Sequence, residues 1–98
     1  MYEQVRDALI DVLSEIQDIN GQPVPNIDDE TCPMRDLPGF DSLNSVEAVV
    51  MLSGKLGYDI PIRETFFPKK GKPFSIREIV QKVIKTMERG GTQWLIPI

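Results

Sequence analysis

The 98 residues make one small domain, with 41% hydrophobic and 27% charged side chains, an ordinary globular balance rather than the polar excess of disorder. A single cysteine, Cys32, allows no internal disulfide and fits a reducing, cytoplasmic setting, and the complete lack of histidine removes Ser-His-Asp triads, Cys-His pairs and HExxH zinc sites. The net charge of −4 is uneven: residues 1–31 carry −7, residues 32–61 carry −2 and residues 62–98 carry +5. An acidic chain is a poor partner for nucleic acid, and its longest apolar run, Ala48 to Leu52, is far too short to span a membrane. The N-terminus lacks the basic and apolar stretches of a signal peptide.

Taken in chain order, the first element is the clearest. Val5, Ala8, Leu9, Val12, Leu13, Ile16 and Ile19 recur with helical spacing, while Glu3, Arg6, Asp7, Asp11, Glu15 and Asp18 form the opposite face. Asn20-Gly21 supplies the stop. Residues 20–41 follow as a long connection that Pro23, Pro25, Pro33 and Pro38 keep from becoming one helix. Val24, Ile27, Met34 and Leu37 are its apolar anchors, and the acids Asp28-Asp29-Glu30 favour a short helical turn there. Their spacing is not that of a calcium loop, and no metal site is expected.

A second long helix is expected from Asp41 or Ser42, both good N-caps, to Gly57. Leu43, Val46, Val49, Val50, Leu52 and Leu56 give it a broad apolar face. Tyr58-Asp59-Ile60-Pro61 reads as an extended exit, and Ile62 to Phe67 as a short third helix ended by Pro68. Lys69-Lys70-Gly71-Lys72-Pro73 is a basic loop. The last helix begins with a capping box, Ser75 and Glu78, and continues through Ile76, Ile79, Val80, Val83, Ile84 and Met87 until Gly90-Gly91. These elements predict an all-α fold: a small four-helix bundle of three long helices plus a short third, in a domain of residues 1–89. The apolar tail of residues 90–98 either folds back on the core or meets a partner.

The sharpest local feature is Gly39-Phe40-Asp41-Ser42-Leu43-Asn44-Ser45-Val46-Glu47. A serine at the first turn of a helix lies where the macrodipole and unpaired N–H groups best stabilise a phosphate ester. Taken locally, Asp41-Ser42 is more simply read as an N-cap and nothing more. Catalysis by Ser42 has no support, because a nucleophilic serine needs a base and an orienting group and the chain offers neither. No residue is assigned a catalytic role.

Asp36-Leu37, Gly39 to Leu43, Val46-Glu47 and Gly57 to Pro61, in that order among the helices, resemble an acyl carrier protein across roughly Val5 to Met87. The resemblance implies a carrier rather than an enzyme. In that family, a metal-dependent phosphopantetheinyl transferase esterifies the serine after the aspartate with 4′-phosphopantetheine taken from coenzyme A. The thiol of that covalent arm then holds acyl groups as thioesters for acyl-transferring or acyl-modifying enzymes. Ser42 matches the attachment site, and Asp41 and Leu43 flank it. Asn44, Glu47 and Met51 fall on the surface that meets partners. Val46, Val50, Leu56, Ile60 and Ile62 would line a shelter for the acyl chain, although any of them is equally a core residue. Asn44 stands where an aspartate is common and Lys55 where glutamates are common. These departures point to a specialised carrier, in a polyketide-like, lipid-modifying or other dedicated pathway, rather than the housekeeping fatty-acid carrier; a monomer is expected. A peptidyl or aminoacyl carrier, and an unmodified helical interaction module, remain open alternatives.

Overall fold

The computed structural model describes residues 1–60 and 72–88. Four helices occur there: α1 (Tyr2–Ile19), α2 (Pro33–Asp36), α3 (Ser42–Leu56) and α4 (Ile76–Glu88). The fold is mostly helical, and no strand occurs among the described residues. The expected short helix at Ile62 to Phe67, Ile62 itself, the Gly90-Gly91 stop and the apolar tail lie outside the described residues.

α1 forms where its periodicity places it. Val5, Leu9, Val12, Leu13 and Ile16 are buried along one stripe. Ile19, the last member of the expected stripe, is 72% exposed, because the helix ends there and the chain turns away through Asn20 and Gly21. Gly21 takes φ 69°, a conformation that glycine adopts at little cost. α4 answers with Ile76, Ile79, Val80 and Val83 buried, and with Ile84 and Met87 packed at the margin. Its capping box is complete: the Glu78 N–H donates to Ser75 Oγ at 3.2 Å, and the Ser75 N–H donates to Glu78 Oε1 at 2.9 Å.

α3 buries Ala48, Val49 and Leu52 in the same core, packing chiefly against α1. The expected broad apolar face is narrower in fact. Leu43 is 67% exposed and Val50 52%, so both point to solvent. Six apolar positions span more of the helix circumference than one core can cover.

The long connection is pinned rather than loose. Leu37 and Phe40 are buried, and Ile27 and Met34 pack on the core, whereas Val24 is exposed. The helical turn expected at Asp28-Asp29-Glu30 falls later, as α2 at Pro33–Asp36. Asp28 instead closes a tight turn, its carboxylate accepting from the Glu30 N–H at 2.9 Å. Pro33 then opens α2 at its first position. Residues 29–31 are stitched to the start of α4: the Ile76 N–H donates to the Thr31 carbonyl at 2.8 Å and the Arg77 N–H to that of Asp29 at 3.0 Å.

Candidate functional site

Ser42 is the first residue of α3 and is exposed. Asp41 before it is the N-cap, with extended backbone at φ −116°. The Asn44 N–H donates to Asp41 Oδ1 at 3.0 Å, and the Asp41 N–H donates to Asn44 Oδ1 at 3.2 Å. This reciprocal box places asparagine where glutamate or glutamine usually stands. It leaves the hydroxyl of Ser42 uncommitted to capping, beside the first-turn N–H groups that have no acceptor inside a helix.

Ser45, one turn on, differs in every respect. It is fully buried, and its Oγ donates to the Ser42 carbonyl at 2.6 Å. The two serines of the motif are therefore one outward and one inward group.

The approach to Ser42 is firmly seated. Leu37 and Phe40 anchor it from below, and the Phe40 N–H donates to the Leu37 carbonyl at 3.2 Å. Gly39 between them takes φ 70°, and a Cβ there would lie 2.8 Å from Gln22 Nε2. The backbone sign calls for glycine at this position, whereas the Gln22 side chain could move aside for a Cβ.

The other residues expected at the site separate into distinct settings. Glu47 is exposed, and its Oε1 accepts from Asn44 Nδ2 at 3.3 Å. Asn44, expected to face partners, is 7% exposed and serves the cap instead. Met51 packs against the core at its margin, so it too is not an outward anchor. The apolar residues that do face outward near Ser42 are Leu43 and Val50, at i and i+7 on one stripe of α3. Of the residues expected to shelter an acyl chain, Ile60 is buried, its N–H donating to Ser53 Oγ at 3.2 Å. Leu56 packs against the core, and Val46 is half-buried. Val50 faces solvent and so lines no interior space.

Away from Ser42, a groove is lined by Arg6, Ile10, Ile27, Asp28, Asp29, Glu30 and Arg77. Its charges answer one another. Arg6 and Arg77 each lie 3.8 Å from an Asp29 carboxylate oxygen, and Arg77 also pairs with Glu30. Burial and the neighbouring Asp29 carboxylate push the Tyr2 phenol above its usual range. No group of three or more potential metal ligands occurs among the described residues. Cys32 is buried, and burial pushes its thiol upward, which makes it a slow nucleophile.

The structural roles of two residues went unseen in the sequence. Gln17 occupies the buried seam of α1, at i+4 from Leu13, and its amide reaches the segment before Ser42. Its signal was a polar residue on an apolar stripe. The carboxylate of Asp36 accepts from the Cys32 N–H at 2.8 Å, bracing α2. Comparison with family models, with curated proteins and with solved structures gives no significant match.

Proposed function

We propose that this chain is a carrier whose Ser42 receives 4′-phosphopantetheine, and that it holds acyl intermediates as thioesters for partner enzymes. The observation that carries the reading is the exposed Ser42 hydroxyl at the start of α3, held outward while Asp41 and Asn44 cap the helix between themselves. The residues suit such an ester. The first turn of α3 offers N–H groups and the positive end of the helix dipole to a phosphate. Solvent exposure leaves room for an arm. When bound, the arm supplies a terminal thiol that forms and releases thioesters. The chain's own residues bind nothing catalytically; they present the hydroxyl and offer a surface.

That surface is Leu43, Val50 and Glu47, apolar with one acid. Partners would therefore meet it more through apolar contact than through steering by charge, which fits a dedicated pathway better than the acidic recognition of a housekeeping carrier. Val46, Leu56 and Ile60 remain candidates for sheltering an acyl chain.

The test is to incubate the protein with coenzyme A, magnesium and a broad-specificity phosphopantetheinyl transferase. One arm's mass should be gained, mapping to Ser42, and Ser42→Ala should abolish it. Because Cys32 is buried with its thiol pushed upward, thiol titration of the native protein should gain one fast-reacting group on modification. Mass gain that survives Ser42→Ala would refute the assignment. No gain in the parent chain would leave the helical interaction module, for which the exposed Leu43 and Val50 would still provide a face.

A further inference from the structure

From the contacts of Gln17, we infer that this residue is a positioning residue, fixing the segment Pro38 to Ser42 so that the Ser42 hydroxyl is held in one place. Gln17 lies on the core seam of α1 and is fully buried. Its Nε2 donates to the Pro38 carbonyl at 2.7 Å and reaches the Pro23 carbonyl at 3.4 Å. One side chain thus ties both ends of the long connection. Its backbone takes part as well, because the Gln22 N–H donates to the Gln17 carbonyl at 2.8 Å. The side chain of Gln22 in turn lies against Gly39, within 2.8 Å of where a Cβ would sit. Gln17 thus holds the Pro38 carbonyl directly, and the Gln22 side chain lies beside Gly39. From there Phe40 is buried and Asp41 is locked to Asn44, so little slack remains before Ser42.

Stability alone does not explain an amide at this position. Gln17 Oε1 is buried and accepts no hydrogen bond among the described residues. A half-satisfied buried amide costs free energy that a methionine of similar length would not. What the amide supplies and methionine cannot is a directed bond to Pro38, the residue four before Ser42. The amide orientation follows from its partners, since both are carbonyls and only the NH₂ group can meet them.

The test compares Gln17→Met with Val83→Ala, a core truncation in α4 that lowers stability without touching the segment. Amide exchange is followed by NMR, with urea melts confirming that each variant is folded. In Gln17→Met, the Phe40 and Asp41 amides should exchange roughly tenfold faster while Val80 and Val83 keep their parent rates. Val83→Ala should speed all four together. Unchanged Phe40 and Asp41 in Gln17→Met would overturn the inference.

A second arm rests on the carrier reading. The transferase's KM for Gln17→Met should rise roughly tenfold at constant kcat, as expected if only about a tenth of the molecules present Ser42 correctly. Val83→Ala should match the parent at a temperature where it is folded. A faster-exchanging segment with an unchanged KM would overturn the claim that Gln17 governs presentation of Ser42. A parent chain that accepts no arm would refute the carrier reading alone, and the exchange data would then decide the role of Gln17 by themselves.

Discussion

Asp36 accepts hydrogen bonds from the Arg35 guanidinium, at 2.7 Å, and from the Cys32 N–H, at 2.8 Å. Both favour the ionised carboxylate and hold it below the usual aspartate range, with Arg35 the larger influence. A carboxyl depressed in the folded state adds stability above its unfolded pKa of about 3.9, and that stability disappears as pH falls through the lower native value. Urea midpoints should therefore drop as the buffer is acidified below about pH 4, and Asp36→Asn should flatten that part of the curve. A variant that keeps the full acid dependence would show that other carboxylates govern it. Residues of this kind were only partly legible in the sequence. Asp41 was legible as one of two candidate caps, with Ser42 the other, because both residue types favour that position. Asn44 was not legible, since its amide reads equally as a solvated side chain until the reciprocal bond to Asp41 is known.

α1 and α4 could be read from periodicity because each shows a single apolar stripe against a charged remainder. α3 could not, since its apolar residues run round more of the helix and sequence does not say which of them the core has room for. The difference is measurable. Leu13→Ala and Leu52→Ala remove fully buried side chains and should each cost about 2–5 kcal/mol. Glu15→Ala and Leu43→Ala alter exposed positions and should each stay within about 0.5 kcal/mol. Chemical denaturation of the four variants checks both faces at once; a large loss at Leu43 would mean that α3 is rotated from the orientation described. α2 was misplaced for a related reason. Three acids in a row favour a helix start, but Asp28 closes a turn while Asp29 and Glu30 turn to Arg6 and Arg77. The better signal was Pro33, whose fixed φ suits the first helical position.

At the scale of the molecule, the charge imbalance along the chain is partly resolved within the fold: Asp29 and Glu30 of the acidic N-terminal third meet Arg77 of the basic C-terminal third. Asp29 also lies near Arg6, so one carboxylate joins α1, the long connection and α4. Both of its contacts are 3.8 Å long and part-exposed, which keeps the contribution small. Asp29→Asn should cost no more than about 1 kcal/mol at low ionic strength, and less at 1 M salt, where the screening length falls to about 3 Å. A salt-independent loss would point to packing rather than charge. The backbone stitching beside this cluster has a different consequence. Asp29 and Thr31 find their acceptor role only when the N–H groups of Ile76 and Arg77 arrive. During synthesis those carbonyls therefore leave the ribosome long before their partners do, and water must serve them meanwhile. The apolar seam of α1 waits as well, because Val80 and Val83 help to cover it. Contacts so distant along the chain slow the search for the native state. Folding of this core is thus timed by the emergence of α4, and a nascent chain halted before residue 76 would offer a chaperone an uncovered apolar surface.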